Sequence, residues 1–400
     1  MNRLIFKKHL LAIALLLLCG VSAQAADDDL ITQQITIKLD KAGTLPNKIG
    51  SSKKYKITNL KIVGEINGTD LLLIRDMSGS NYRGFRTSGN LVFLDLSDAK
   101  IVSGGDYYYY LNQSFYTGYY YTAKDELGDF AFYECSKLKN IIIPSNVTSI
   151  GESAFQGCSG LTNLNIPSRV TAISVGAFQG CSGLTNLNIP SRVTTIREYA
   201  FKGCIGLTNL NIPSSVTTIG SGAFDGCSGL TSLNIPSITT ISSYAFDGCS
   251  GLTNLNIPSS VTTIGSGAFQ GCSGLTSLNI PSTVTYIGND AFRNCNLASI
   301  YVSRKTPLVI DGSVFKGVNK EKCVLYVPQD SYQDYWLAKG WGDFKNIVEY
   351  DATKVGNSVV DKEIKEVARY TANGQRLDTP TKGLNFVRYS DGSVRKELHN

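Results

Sequence analysis

Apolar positions along residues 57–328 recur on a beat too slow for a single helix or strand. One stretch, Ile212–Asn234, reads IPSSVTTIGSGAFDGCSGLTSLN. Just before it, Leu207, Leu210 and Ile212 follow a Leu-x-x-Leu-x-Ile pattern, which predicts a strand with one inward face. Val216 and Ile219 form a second, shorter apolar pair ahead of Ala223 and Phe224. The Ala-Phe pair returns at Ala131, Ala154, Ala177, Ala200, Ala223, Ala245, Ala268 and Ala291, in steps of 23 with a single 22. Cysteines keep the same beat at Cys135, Cys158, Cys181, Cys204, Cys227, Cys249, Cys272 and Cys295. One such unit is too short to bury its own apolar side chains, so the units must stack coil on coil around a shared core. The strands would then line a parallel sheet with coils about 4.8 Å apart. Pro167, Pro190, Pro213, Pro236, Pro258 and Pro281 would end each strand by removing a ladder donor.

The frame I-P-x-x-V-T-x-I-G-x-x-A-F-x-G-C-x-x-L-x-x-L, repeated eight times over roughly residues 130–300, resembles the BspA-like branch of the leucine-rich-repeat proteins. The resemblance implies an α/β leucine-rich-repeat solenoid that is mostly β, a parallel sheet with short outer strands and turns and few short helices. The commoner leucine-rich unit carries a regular Asn after the strand. Here Arg169, Arg192, Ser215, Ser260 and Thr283 hold that place, so long convex helices are not expected.

The flanks read as degenerate coils. ITNLKI (Ile57–Ile62) and LVFLDL (Leu91–Leu96) echo LTNLNI, and Leu297–Val302 and Leu325–Pro328 keep fragments of it. Atypical end repeats protect the open edges of a solenoid. SYQDYWLAK, Ser331–Lys339, is expected as a short amphipathic helix, with Trp336 and Trp341 closing the C-terminal end. The expected division is 1–25 signal peptide, 26–129 N-terminal cap, 130–300 regular repeats, 301–350 C-terminal cap, 351–362 linker and 363–400 a small β module. Asn373-Gly374 and Asp391-Gly392 predict hairpin turns in that last module. It is similar to C-terminal modules of exported proteins in the same bacterial group, where related tails act in sorting; a plain stabilising appendage is the alternative.

Residues 1–25 set the compartment. Arg3, Lys7 and Lys8, the apolar run Leu10–Leu18 and the exit Ala23, Gln24, Ala25 make a cleaved secretory signal. Lipid attachment at Cys19 is a second reading, weakened by the bulk of Leu18. No later stretch approaches the roughly 20 apolar residues of a spanning helix. The formal charge of +6 falls to +3 without the signal, 35 basic against 32 acidic residues. That charge is scattered, which argues against nucleic acid. The only histidines are His9, in the signal, and His399. A mature chain with one terminal imidazole lacks the means for a Ser/His/Asp or Cys/His nucleophile or a histidine-rich zinc site. No catalytic, metal-binding or cofactor residues are therefore assigned.

The remaining chemistry is weighed residue by residue. Eight cysteines hold equivalent places in successive coils and should stack as buried reduced thiols, with bridges between neighbouring coils the alternative. Asp225 and Asp247, in adjacent coils about 5 Å apart, match the spacing of a retaining glycosidase pair, but nothing around them suggests a pocket. Thr162, Asn163, Asn165 and their equivalents form polar rows, read either as solvated strand residues or as a ladder for an extended polymer.

The most unusual segment is Gly104–Thr122, GGDYYYYLNQSFYTGYYYT, with Tyr107, Tyr108, Tyr109, Tyr110, Tyr116, Tyr119, Tyr120 and Tyr121. Tyrosine offers large contact area at low entropic cost. Four in a row on a strand point to both faces, so some must be covered. Arg169, Arg192, Arg197, Tyr199 and Tyr244 are further places where the array breaks its uniformity. The expected function is an exported, non-enzymatic binding protein, an adhesin for proteins or glycans on host or bacterial surfaces. A glycan-capturing component and a structural envelope protein are the alternatives.

Overall fold

An aromatic ring in each coil must meet the ring of the next coil face to face if the repeat stays in register, and this is what the structure, a computed structural model, contains. It describes residues 29–113, 116–351, 366–371, 376–377, 379–389 and 394–399. The signal peptide, Cys19, nearly all of the linker and both predicted tail turns lie outside the described residues. The chain forms two units, Met1–Lys124 with Glu134–Pro144, and Asp125–Tyr133 with Ser145–Asn400.

In the second unit Phe132, Phe155, Phe178, Phe201, Phe224, Phe246, Phe269, Phe292 and Phe315 form one stack. Successive centroids are 5.3–5.7 Å apart and the rings lie within 11° of parallel. All are essentially inaccessible to solvent. The backbone of each Ala-Phe turn joins its neighbour even though it is not a strand: Phe155 N–H donates to Ala177 O and Phe178 N–H to Ala200 O, both at 2.8 Å. Beside the rings the thiols also stack. Cys158 Sγ–H donates to Phe132 O at 3.0 Å, and Cys181, Cys204, Cys227, Cys249, Cys272 and Cys295 repeat the bond at 3.1–3.3 Å. From Phe155 to Phe269 each of these carbonyls also accepts the backbone N–H of the cysteine in its own turn, as Cys158 N–H donates to Phe155 O at 3.1 Å, so the thiol of the next coil is a second donor. All nine described cysteines are free and buried. Burial pushes the thiols up, to about 12 for Cys204 and Cys295.

The two apolar pairs of each unit become two short parallel strands on opposite sides of this core. Asn163–Asn165 pairs with Asn186–Asn188, placing Leu164 beside Leu187. On the other side Ala172–Ile173 pairs with Thr195–Ile196, and that with Thr218–Ile219. Leucines and isoleucines of both rows are buried. The Leu-x-x-Leu-x-Ile reading of the inner strand therefore holds, and the outer side is built of two-residue strands and turns without helices. The parallel strands continue past the regular array as Ser277–Ile280, Ser299–Val302, Val324–Pro328 and Asn346–Tyr350. Glu366–Thr371 and Arg376–Leu377, and Gly383–Tyr389 and Val394–His399, are antiparallel pairs.

Of the two tryptophans only one closes the stack. Trp341 is buried against Phe315 at 5.4 Å and donates from Nε1 to Leu308 O at 2.9 Å. Trp336, on the short helix Tyr332–Leu337 that forms within the predicted Ser331–Lys339, is half exposed. The helix turns Tyr335 inward instead, and its hydroxyl donates to Arg304 O at 2.7 Å.

In the first unit β1 (Ile35–Leu39), β2 (Asn59–Ile66) and β3 (Phe93–Ile101) are parallel and in register with Asn140–Ile142, aligning Leu60, Leu94 and Ile141. The two degenerate coils read from ITNLKI and LVFLDL are therefore strands of a parallel sheet. α1 (Leu45–Ile49) follows β1 and α2 (Gly68–Met77) follows β2. Asp70 joins the helices: buried, it accepts from Asn67 N–H at the start of α2 and from Gly43 and Leu45 N–H at the start of α1. β4 (Gly104–Gln113) and β5 (Tyr116–Thr122) form an antiparallel hairpin.

Two outcomes test the core. Phe224→Ala should lower unfolding free energy by about 3–5 kcal/mol, because flanking rings on both sides hold the cavity open; denaturant titration measures it. The thiols should resist alkylation until the chain unfolds. Since the folded thiols stay protonated while unfolded ones ionise near 8.5, stability should fall as pH rises from about 8.5 toward 12, by up to about 1.4 kcal/mol per pH unit for each thiol; denaturation midpoints across that range measure the slope.

Candidate binding surfaces

The hairpin β4–β5 is anchored from below by a helix. Thr69 Oγ1, in the first turn of α2, donates to Asp106 Oδ2 and accepts from Asp106 N–H, both at 2.9 Å. A side chain at Gly68 would sit 1.9 Å from Asp106 O, so only glycine permits this approach. Thr122 Oγ1 donates to Val102 O, and Tyr110 N–H to Tyr82 O at 2.7 Å. The register slips between Gly104 and Tyr109, then runs true with Tyr109 opposite Tyr120 and Tyr110 opposite Tyr119.

That slip breaks the simple alternation of a strand and divides the tyrosines into two groups. Tyr108 and Tyr109 are consecutive yet both buried. The guanidinium of Arg75, itself fully buried and donating to Asn81 O at 3.0 Å, lies 5.0 Å from the Tyr109 ring centre. Tyr120 packs on Tyr109 at 6.0 Å. The other rings form an outward cluster. Tyr110 stacks on Tyr119 at 4.8 Å, and Tyr107 meets Tyr119 edge-on at 4.9 Å and Tyr121 at 6.4 Å. Tyr119 and Tyr121 are 56% and 54% exposed, so their rings face solvent. The side chain of Tyr116 lies outside the described residues.

Two members of this cluster carried no sequence signal. Tyr82 meets Tyr107 at 5.8 Å, and the Arg83 guanidinium lies 5.2 Å from the Tyr82 centre and 5.9 Å from that of Tyr110. A cavity of about 390 Å³ opens beside Tyr82, walled by Pro46, Leu72 and Leu73 with Thr69, Asp76 and Asn81. Its signal was the run LLLI on α2, which holds more apolar residues than one face can bury. Leu71 and Ile74 turn inward and Leu72 and Leu73 stay half-buried along the cavity.

In the repeat unit Arg169 and Arg192 are exposed at one corner, in the turn after the inner strand, and Arg197 is exposed after the outer strand. Tyr199 and Tyr244 share another position, just before the Ala-Phe pair, and are 43% and 47% exposed. The threonine rows are consumed by the fold: Thr185 Oγ1 donates to Thr162 O, Thr231 to Thr208 O and Thr253 to Thr231 O, each coil to the one before. The Asn163 and Asn165 columns remain exposed.

The two carboxylates nominated as a glycosidase pair are both engaged. Lys202 Nζ holds Asp225 at 2.8 Å, and Gln270 Nε2 donates to Asp247 Oδ2 at 3.4 Å. Burial, with Asp225 close by, raises the Asp247 carboxyl above the ordinary carboxylate range. No group of three or more His, Cys, Asp or Glu side chains among the described residues is arranged to hold a metal ion. No helix among them is long and apolar enough to cross a membrane.

Comparison with known proteins follows the repeat. Among solved structures, a leucine-rich repeat protein from Bacteroides ovatus is 24% identical over 67% of this chain and 66% of its own length, with a TM-score of 0.46. A leucine-rich repeat protein of T. pallidum is 34% identical over 38% of this chain and 71% of its own, with a TM-score of 0.36. A leucine-rich cell surface protein from Faecalibacterium prausnitzii is 23% identical over 78% of this chain and 91% of its own, with a TM-score of 0.32. No curated protein sequence matches the chain. The family description "BspA type Leucine rich repeat region" fits six copies across residues 124–252 and 194–322. With the coil frame, the phenylalanine stack and these copies in agreement, the chain belongs to the BspA-type leucine-rich-repeat family.

Proposed function

We propose that this protein is an exported, non-enzymatic binding protein of the bacterial surface that engages proteins of host or bacterial surfaces through its tyrosine hairpin. The observation that carries the reading is the outward cluster of Tyr107, Tyr110, Tyr119 and Tyr121, extended by Tyr82 and Arg83. Protein interfaces concentrate their energy in tyrosine, tryptophan and arginine anchors, and this cluster holds several on a backbone pinned by α2. Pre-ordering the rings against one another lowers the entropy lost when a partner binds. The cavity walled by Leu72 and Leu73 offers an apolar pocket next to those anchors. A non-enzymatic role agrees with the lack of a mature histidine other than His399 and with the paired state of Asp225 and Asp247. The basic and apolar residues 1–25 support export.

The test is a pull-down with the mature chain from extracellular matrix, mucin and bacterial surface fractions, followed by affinity measurement on any enriched protein. Tyr119→Ala with Tyr121→Ala should weaken binding by about 2 kcal/mol or more, roughly thirtyfold, with no change in melting temperature because both rings are exposed. Absence of any enriched protein, or retention in the double variant, would sink the reading. As a structural counterpart, Tyr109→Ala should destabilise the first unit by about 3 kcal/mol, seen as a lower melting temperature, since it empties the site beneath Arg75.

A further inference from the structure

One surface column of the repeat unit breaks a backbone rule on purpose. The residue before each Ala-Phe pair adopts positive φ in coil after coil: Phe130 at 58°, Ser153 at 52°, Gly176 at 58°, Tyr199 at 56°, Gly222 at 61°, Tyr244 at 57°, Gly267 at 61° and Asp290 at 57°. Glycine adopts this left-handed conformation freely and a bulky aromatic does not. Three coils use glycine, yet the first uses phenylalanine and two others use tyrosine, at a backbone cost that the surroundings must offset.

The tyrosines gain no core in exchange, since each is nearly half exposed. Each ring instead leans along the stacking direction and lies over the glycine of the next coil. A Cβ on Gly222 would stand 2.6 Å from Tyr199 Cε1, and a Cβ on Gly267 would stand 2.4 Å from Tyr244 Cε1. In the order Tyr199, Gly222, Tyr244, Gly267 each ring thus lies over a glycine, and the rings fall at every second coil. Two coils place the rings on the order of 10 Å apart, the length of one disaccharide step in an extended β-1,4-linked chain.

A second column runs alongside. In each turn the residue three places on donates its N–H back to the φ-positive residue, Lys202 to Tyr199 O at 3.0 Å, Asp225 to Gly222 O at 3.1 Å and Asp247 to Tyr244 O at 3.1 Å. Lys202, Asp225, Asp247 and Gln270 thus form a polar row beside the aromatic one, and Lys202 Nζ lies 5.3 Å from the Tyr199 ring centre. Flat rings flanked by carboxylate, amide and ammonium groups match a pyranose, whose axial C–H face is apolar and whose equatorial rim carries hydroxyls.

We infer that this edge of the repeat unit is a binding strip for an extended β-1,4-linked polysaccharide. Tyr199 and Tyr244 seat alternate sugars, and Lys202, Asp225, Asp247 and Gln270 bond the hydroxyls between them. The strip is separate from the tyrosine hairpin and stands or falls without it. Because the contact recurs along the stacking direction, affinity grows with chain length.

The experiment uses the full mature chain and calorimetric titration with cellohexaose, mannohexaose and chitohexaose, with maltohexaose as the α-linked control and the matching disaccharides as short probes. At least one β-1,4-linked hexaose is expected to bind, with its disaccharide about tenfold weaker or more because it reaches one ring only. Tyr199→Gly and Tyr244→Gly restore the residue that neighbouring coils already use. Each should weaken hexaose binding about tenfold, while the melting temperature stays equal or rises as strain is relieved. No binding of any β-1,4-linked hexaose, equal binding of maltohexaose, or undiminished binding in the double glycine variant would overturn the inference. So would a clear drop in melting temperature, which would make the rings structural. Tyr119→Ala with Tyr121→Ala serves as the contrasting variant and should leave hexaose binding unchanged.

Discussion

Everything in the repeat unit follows from like stacking on like at the Phe-Gly-Cys corner. A phenylalanine ring 5.3–5.7 Å from its copies fixes the coil spacing, and the thiol three residues on bonds the carbonyl of the preceding phenylalanine. The thiol fills space there as a small hydrophobe and adds a second, weak donor to a carbonyl that already accepts a backbone N–H within its own turn, which ties one coil to the next. The spacing so set brings the short strands on both sides into register. Two- and three-residue strands have little stability alone, so their order is borrowed from the column of rings and thiols.

That arrangement separates the work of residues cleanly. Positions that face the column are constrained in every coil, because a change in one disturbs the coil above and below. Positions at the corners and on the exposed faces are bound only by the backbone conformation. The threonine rows are an intermediate case, since their hydroxyls bond backward to the previous coil and stiffen the scaffold. Chemical variety is therefore concentrated where Lys202, Asp225, Asp247, Tyr199 and Tyr244 lie, on a surface that the core has already made rigid. The tyrosine hairpin solves the same problem by other means. It is anchored on α2 through Thr69 and Asp106 and weighted down by buried Tyr108 and Tyr109, so its outer rings are presented on a fixed base.

Much of this was legible in the amino-acid order. The beat of Ala-Phe and Cys reports a stacking period, and the Leu-x-x-Leu-x-Ile pattern reports which strand residues turn inward, because both are local consequences of one repeated contact. The same logic foretold stacked, unbridged thiols and degenerate coils at Ile57–Ile62 and Leu91–Leu96. Signals failed where the unit decays. Phe315 extends the ring column, but Val314 replaces the alanine before it and the next cysteine slips to Cys323, so the frame no longer announces itself. Nor does composition distinguish Trp341, sealed on Phe315, from Trp336, which the one-turn helix leaves in solvent.

The sequence by itself determined the period, the inward positions and the surplus of tyrosine, since each is written in residue type and spacing. Only the tertiary structure decided which tyrosines are anchors and which are surface. Tyr108 and Tyr109 both turn inward because the hairpin register slips, and Arg75, far along the chain, supplies the charge over one of them. It also decided that Asp225 and Asp247 are engaged, and that Tyr199 and Tyr244 lie over Gly222 and Gly267. These are relations between coils, set by how a strained φ aims a ring and how far one coil sits from the next. No single unit of 23 residues contains that information.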